Sequence, residues 1–244
     1  MHDGKLAKNI PRIEVEFSSL GPTEIITDNV RRMRLLSLLG IRNIAYYNDS
    51  NEQDILAVGK KFPDSLFIPQ WQKDNWHVFE NTHALPRAIL VSDYAVESEP
   101  QRILDRVFDP KFNPATTVVL EEEPISFTDE EILGKNAVAM IKSYQPTEVV
   151  IKTDADSDSF LVLSDTYYPG WRAYVDGDES KIYRANYTFR AVRVPQGAHA
   201  VHFVYKPASF TWGYKVSIAT VIVLMLMWLK HTLWYNNVRK QLKI

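Results

Sequence analysis

The fold is decided by residues 161–189, which read LVLSDTYYPGWRAYVDGDESKIYRANYTF. Short runs rich in apolar and aromatic residues are typical of strands, and the pairs Pro169-Gly170 and Asp176-Gly177 are typical of tight turns. An Asp-Gly pair between two such runs is among the strongest local signals for a β-hairpin. The stretch therefore predicts short antiparallel strands joined by tight turns.

The same stretch is rich in aromatic residues, and two interpretations of them stay open. In the first, the rings fill the core of a small sandwich, because Trp171, Ala173 and Val175 point to one face of a strand. In the second, the rings form a platform on which a sugar stacks, while polar side chains bind its hydroxyl groups. The core interpretation is favoured. The candidate glycan-contact residues are Tyr167, Tyr168, Trp171, Tyr174, Asp176, Tyr183 and Asn186.

The residues on both sides extend this pattern into an α+β fold. From Ala137 onwards, short strand patterns alternate with turn signals at the spacing of an antiparallel β-sandwich, which we expect to be jelly-roll-like. The preceding half mixes strand patterns with two short helix patterns, at residues 28–39 and 100–110. Structural turns are predicted at Pro169, Gly170, Asp176, Gly177, Pro195 and Gly197.

A long apolar segment follows the strands. Residues 212–229 read WGYKVSIATVIVLMLMWL and, with the residues up to Trp234, are long enough to span a bilayer. Aromatic residues lie at both ends, and the tail beyond carries Lys and Arg but no acidic residue, so we expect a cytoplasmic C-terminus. The expected organisation is a mixed α/β extracytoplasmic region at 1–125, an extracytoplasmic β-sandwich domain at 126–210, a transmembrane helix at 211–235 and a basic cytoplasmic tail at 236–244.

Composition and motifs argue against several classes of function. The 28 basic and 30 acidic residues nearly balance, so we expect no nucleic-acid partner. The chain has no cysteine, and His199 and His202 point to opposite faces of a strand, so we expect no metal site and no cofactor. The acidic cluster EEEPISFTDEE at 121–131 is interpreted as a linker, since adjacent carboxylates on extended chain point apart. We identify no catalytic residue.

The first residues do not resemble a signal peptide, because they lack a continuous apolar run. An outer domain nevertheless needs an export signal or a preceding membrane segment. We therefore expect the chain to be the C-terminal piece of a longer, multi-spanning protein.

Several motifs resemble the YfhO-type family of bacterial membrane proteins. They are the Tyr-Pro-Gly-Trp turn, the Asp-Gly hairpin, the Pro-x-Gly-x-His hairpin and a Tyr-x-Pro sequence before the apolar segment; LLSLLGIRNIAYYN and VFENTHALPRAILV upstream also fit. The resemblance implies a polytopic protein in the cell membrane, built like the glycosyltransferases that use polyprenyl-phosphate sugars and act on cell-envelope polymers. In such enzymes the catalytic carboxylate lies among earlier membrane helices, so no catalytic residue is carried over to this chain. The alternative is a membrane-anchored, non-catalytic β-sandwich that binds glycan or a partner protein.

Overall fold

The computed structural model describes residue 20 and residues 24–48, 58–125 and 136–241, with side chains up to residue 235. The helices are a 3-10 helix (Ile26–Asp28), α1 (Val30–Leu38), α2 (Val58–Lys61), α3 (Pro100–Val107) and α4 (Ala208–Gln241). The strands are β1 (Asn43–Tyr47), β2 (Phe67–Lys73), β3 (Trp76–Asn81), β4 (Ala88–Val91), β5 (Asp93–Val96), β6 (Thr117–Leu120), β7 (Ala137–Gln145), β8 (Glu148–Ala155), β9 (Ser159–Leu163), β10 (Trp171–Val175), β11 (Asp178–Ser180), β12 (Ile182–Ala185), β13 (Phe189–Val194) and β14 (Gly197–Tyr205).

A small three-stranded sheet forms the first part of the molecule, in the order β1-β3-β2. The helix pattern at residues 28–39 is found as α1, which begins after Asn29, whose side chain accepts a hydrogen bond from the backbone N–H of Arg32. Leu36 of α1 packs with Phe62, Phe67 and Phe79 in one buried cluster. This sheet and α1 therefore bury a core of their own.

The larger part of the molecule is a sandwich of two sheets. One sheet has the order β11-β10-β14-β8-β7, and the other has the order β4-β9-β13-β12-β6-β5. Buried side chains from both sheets, such as Ile151 and Phe203 from the first and Leu161 and Val192 from the second, form one apolar cluster. This cluster is the interface between the sheets, as expected for sheets packed face to face.

The six-stranded sheet curls until its edges meet. Its two edge strands, β4 and β5, are separated along the chain by Ser92 alone, so a single bent segment at 88–96 contributes to both edges. The apolar run RAILVSDYAVE at 87–97 therefore forms two strands with different neighbours. Strand β5 pairs with β6 in parallel, and α3 makes the connection between them. Ile103 and Val107 of α3 pack on this sheet.

Strands from both halves of the chain share the six-stranded sheet. β4 pairs with β9, and Ala185 of β12 pairs with Leu120 of β6. Hydrogen bonding thus crosses the boundary expected at residue 125, and the division into regions 1–125 and 126–210 stays a prediction. The segment 126–135 between the two, which includes most of the predicted linker, lies outside the described residues.

Helix α4 carries the apolar segment and completes the α+β class predicted from the sequence. Residues Ala208–Tyr235 are long and apolar enough to cross a membrane, and none of the apolar window is buried inside the molecule. Thr220 and Thr232 donate their hydroxyl groups to carbonyls one turn earlier, at Val216 and Trp228. An apolar, uncovered helix with internally satisfied polar groups is suited to lipid.

Candidate functional site

The turn between β9 and β10 lies where the sandwich joins α4. Trp171 of β10 pairs with Tyr205, the last residue of β14, and the carbonyl of Gly170 accepts a hydrogen bond of 2.7 Å from the N–H of Lys206. A Cβ atom on Gly170 would come within 3.1 Å of Pro207. The Tyr-Pro-Gly-Trp turn is therefore held directly against the segment that leads into the apolar helix.

A shallow cleft of about 280 Å³ opens beside this turn. Three aromatic side chains and three charged side chains are among its lining residues. The aromatic residues are Tyr167, Tyr168 and Trp171, and the charged residues are Arg172, Glu179 and Lys181. Its lining combines flat aromatic surface with hydrogen-bonding groups, a combination that is found in ligand sites.

Behind the cleft, Trp171 packs on a buried arginine. The guanidinium carbon of Arg190 lies 4.0 Å from the Trp171 ring centre and 5.3 Å from that of Phe203. Only 2% of Arg190 is exposed. Among the residues that the structure describes, Nε and Nη1 of Arg190 meet no hydrogen-bond acceptor. The aromatic faces instead provide the electrostatic attraction for this part of the cation.

The charge of Arg190 is balanced by Asp165, on which three side chains converge. Nη2 of Arg190 donates to Asp165 Oδ2 at 2.7 Å, and Nε of Arg87 donates to Oδ1 at 2.8 Å. The hydroxyl of Tyr144 lies 3.0 Å from Oδ1 and accepts a hydrogen bond from Nη2 of Arg87 at 2.6 Å. Because Tyr144 belongs to β7 and Arg190 to β13, this network connects the two sheets.

The pKa shifts in the network follow burial and the charge of Asp165. Burial lowers the pKa of Arg190, and the attraction of Asp165 opposes this only in part. For Arg87 burial also acts to lower the pKa, but the contacts with Asp165 outweigh it and the net shift is upward. Burial, and then the charge of Asp165, raise the pKa of Tyr144. Tyr144 is therefore a neutral phenol at neutral pH, and its hydroxyl donates a hydrogen bond to Asp165. Both oxygens of Asp165 accept hydrogen bonds within this network.

The structure divides the predicted glycan-contact residues among three places. Tyr167, Tyr168 and Trp171 lie together at the cleft. Tyr174 follows in β10, and Asp176 lies at the far end of that strand, where Oδ2 is 2.6 Å from Nδ1 of His199.

The other two side chains are largely buried, although Tyr183 also lines a cleft of about 420 Å³ together with Asp176. Tyr183 is 3% exposed and accepts a hydrogen bond from the N–H of Ile125. Asn186 is 6% exposed, and its side-chain oxygen accepts a hydrogen bond from the N–H of Val119. Asn186 also has a positive φ of 45°, a conformation that Asn tolerates better than most residues. Its role in this structure is to join the β12–β13 turn to β6.

The predicted turn residues lie in connections between strands, except Gly197, which is the first residue of β14. Gly170, Gly177 and Gly197 have φ values of 104°, 98° and 108°, and Asp176 has a φ of 51°. Positive φ at both Asp176 and Gly177 is the requirement of the tightest hairpin turn. Pro169 and Pro195 precede the glycines of their turns.

Sequence analysis missed the charged network and a second aromatic surface. An arginine inside the apolar run FRAVRV signals a buried charge, but its partner Asp165 lies 25 residues away. On the small sheet, Tyr47 and Trp76 are paired residues of β1 and β3 with ring centres 5.0 Å apart. Both are exposed, as is Trp71 of β2, which pairs with Val78 of β3.

The described residues contain no cluster of three or more His, Asp or Glu side chains that could hold a metal ion. The first two acidic residues of the predicted linker are paired with cations. Glu122 lies 2.7 Å from Lys181, and Glu121 lies 3.3 Å from Arg184. Neither arrangement brings two carboxylates together for acid–base chemistry.

Residues 129–217 match the family model described as bacterial membrane protein YfhO. This part of the chain is similar to the YfhO family. The resemblance inferred from the sequence motifs is thereby confirmed over these residues. No curated protein and no solved structure gives a significant match to the chain.

The YfhO match covers the aromatic cleft and its junction with the membrane helix. It contains Asp165, the Tyr-Pro-Gly-Trp turn and the first residues of α4, but it leaves β4 to β6 outside. The family and the apolar helix together support localisation to a membrane. The strands that complete the curled sheet come from a part of the chain that the YfhO match does not include.

Proposed function

We propose that this chain forms the extracytoplasmic domain and last membrane helix of a polytopic YfhO-type protein, in the cell membrane, that resembles lipid-linked-sugar glycosyltransferases acting on cell-envelope polymers. The observation that carries the proposal is the continuity of the YfhO match across the sandwich and into α4. The basic residues after the apolar segment, Lys230, Arg239 and Lys240, favour a cytoplasmic C-terminus and an outer sandwich.

In this proposal, the catalytic residues of the transferase lie outside this chain. Asp165 is the most enclosed carboxylate of the candidate site, and two arginines and Tyr144 already occupy its oxygens. A general base needs a free lone pair directed at the proton that it removes. The sandwich is therefore an accessory domain, and polyprenyl-phosphate sugar is bound by other membrane parts of the protein.

The orientation can be tested because the chain contains no cysteine. Asp154→Cys, in an exposed position of β8, introduces a single thiol on the sandwich, and Lys243→Cys introduces one in the tail. In intact cells, a membrane-impermeant maleimide should label the first variant and not the second. After permeabilisation both should react. Labelling of the tail in intact cells, with protection of Asp154→Cys, contradicts the proposed orientation.

The glycosyltransferase assignment needs a separate test. We expect cells that lack the gene for this chain to lose one sugar modification of an envelope polymer, measured by mass spectrometry of the purified polymers, and to regain it when the gene is restored. Unchanged polymers in the deletion strain contradict a role in transfer.

The alternative is an anchored, non-catalytic sandwich that binds glycan, and the aromatic cleft is the observation that favours it. In that case the purified full chain should bind envelope polysaccharide, and Tyr168→Ala should weaken the binding. Tyr174→Ala, outside the cleft, is the matched control. Equal binding by both variants and the unchanged chain would remove the cleft as the binding site.

A further inference from the structure

The turn beside α4 has an exposed surface that faces the start of the membrane helix. We define the juxtamembrane surface as Tyr167, Tyr168 and Lys206 together with Pro146 and Thr147 of the β7–β8 turn. The two turns meet at the same end of the sandwich, because the N–H of Tyr205 donates to the carbonyl of Thr147 while the N–H of Lys206 donates to that of Gly170. We propose that this surface docks on the headgroup layer of the bilayer in which α4 is embedded.

The length of the helix places this surface at the level of the headgroups. The apolar segment Ala208–Tyr235 has 28 residues. At about 1.5 Å per residue it is about 42 Å long, which matches the roughly 40–45 Å of a bilayer with its headgroups. Ala208 therefore lies near the outer limit of the headgroup layer. Because the carbonyl of Gly170 accepts a hydrogen bond from the N–H of Lys206, the residue before Pro207, the Tyr167–Gly170 turn lies at the same level.

The exposed side chains here are those that membrane interfaces favour. Tyr168 is 60% exposed, and Phe210, Trp212 and Tyr214 extend the exposed aromatic surface into the first turns of α4. Tyrosine and tryptophan rings are enriched where an apolar ring and a polar edge both find a suitable environment. In water the same rings would be an unexplained apolar patch at the foot of the sandwich.

Positive charge flanks the start of the membrane helix, and the carboxylate of Glu148 at this end of the sandwich is hydrogen-bonded to His202. Lys206 is exposed, and Lys215 lies with its amine 5.0 Å from the Trp212 ring centre, toward the start of the helix. From Pro207 to the C-terminus the sequence has no acidic residue. Lysines near a bilayer surface are attracted to anionic lipids. The docking surface thus continues directly from the membrane helix and adds positive charge beside it.

Docking at this surface holds the sandwich in a fixed orientation. The helix alone is one attachment, and the hydrogen bond between Gly170 and Lys206 joins the turn to the root of the helix as a second. With both turns on the headgroups, strands β10 and β14 extend from the membrane surface into the solvent. The inference needs α4 in a bilayer, and it depends neither on the side that the sandwich occupies nor on glycosyltransferase activity.

Site-directed spin labelling of the full chain tests the proposal. Tyr168→Cys and Asp154→Cys each provide the only thiol of the chain, and both replace exposed side chains. Asp154 pairs with Ala198, seven residues before Tyr205 on β14, so it lies about 24 Å from the docking end. The labelled proteins are reconstituted into phosphatidylcholine vesicles that contain phosphatidylglycerol, and collision rates with oxygen and with a water-soluble nickel chelate are measured.

The expected result is that a label at position 168 collides several-fold less with the nickel chelate, and more with oxygen, than a label at position 154. Equal values at the two positions overturn the proposal, because the turn is then in water. Low collision rates with both reagents at position 168 also overturn it, since a protein surface then covers the turn. If the orientation test or the transferase test described above fails, the collision rates expected here stay the same.

Discussion

At Asp165, two arginines and a tyrosine converge on one carboxylate that is itself mostly buried. A buried ion pair costs desolvation energy, and its attraction offsets that cost only while both partners are present. Removal of Asp165 leaves the charge of Arg190, which is 2% exposed, without its counter-ion. We expect Asp165→Ala to destabilise the fold by about 3–5 kcal/mol, measured by denaturant unfolding of the full chain in detergent.

The matched control is Glu179→Ala, which removes an exposed carboxylate 3.7 Å from Arg172 on the same sheet. Exposed pairs contribute about 1 kcal/mol or less, so this variant should unfold almost as the unchanged chain does. Similar losses for the two variants would show that Asp165 does not balance a buried charge.

Gly170 is needed both for its positive φ and because a side chain would clash with its neighbours. Gly177 shares only the positive φ. Gly170 and Gly177 both have positive φ, at 104° and 98°. A Cβ on Gly170 would lie 3.0 Å from the Tyr205 ring and 3.1 Å from Pro207, whereas a Cβ on Gly177 meets nothing within 4 Å. Gly177→Ala should therefore cost only the backbone strain, about 1–3 kcal/mol, and Gly170→Ala should cost more. Thermal unfolding of both variants measures the difference, and equal losses contradict close packing at the junction.

His199 and Asp176 form a pair whose contribution depends on pH. The hydrogen bond with Asp176 raises the pKa of His199 above 6.5, and the same bond lowers that of Asp176 below 3.8. The contribution of His199 is complete below the unfolded value of 6.5 and is lost as the pH rises through the raised folded value. The contribution of Asp176 is complete above 3.8 and is lost as the pH falls through the lowered folded value.

The coupling between the two residues is therefore largest between these limits. A double-mutant cycle with His199→Gln and Asp176→Asn should give a larger coupling energy at about pH 5.5 than at about pH 8.5. Constant coupling across this range would indicate that the histidine stays neutral in the pair.

The strands show which features local sequence predicts and which depend on distant parts of the chain. The runs WHVFEN and AVAMIKSYQ have the composition of strands between turn signals, and they form β3 and β7. The closure of the curled sheet through Ser92 and the parallel pairing of β5 with β6 depend on partners that no local pattern specifies. At the candidate site, the aromatic turn was recognised from Pro169 and Gly170.

Dependence on distant parts of the chain also explains why the sequence does not decide which side chains of the site are buried. Alternation along a strand tells which residues share a face, but not which face another sheet covers. The sequence pattern therefore allows Tyr183 as a glycan-contact residue, whereas its side chain is buried in the structure. The partners Arg87 and Asp165 are 78 residues apart, and only the pairing of β4 with β9 brings them together.

Helix α4 should tolerate a charge according to its depth in the bilayer. Ile222 lies near the middle of Ala208–Tyr235, and Trp234 lies at its end. Arginine at a helix centre disfavours insertion by roughly 2.5–3.5 kcal/mol, while a long cation near the end reaches the interface. We expect Ile222→Arg to increase the fraction that alkaline carbonate extracts from membranes, and Trp234→Arg to have little effect. Equal extraction of both variants would argue against a spanning helix.

At the scale of the whole molecule, the sandwich and the helix contribute separately to stability. None of the apolar window of α4 is buried in the rest of the molecule, whereas both sheets of the sandwich bury clusters that do not involve α4. Residues up to Pro207 retain the hydrogen bond between Gly170 and Lys206. A chain that ends at Pro207 should therefore fold without detergent.

We expect that truncated chain to unfold within about 3 °C of the full chain, a shift that corresponds to roughly 1 kcal/mol for a domain of this size. Circular dichroism follows the transition in buffer for the truncated chain and in detergent for the full chain. Asp165→Ala should lower the midpoint by a similar amount in both backgrounds, because the network that it disrupts lies wholly before Pro207. An aggregated or unfolded truncated chain would instead show that the sandwich needs its helix, and the stability measured for the full chain would then include the bilayer or detergent around α4.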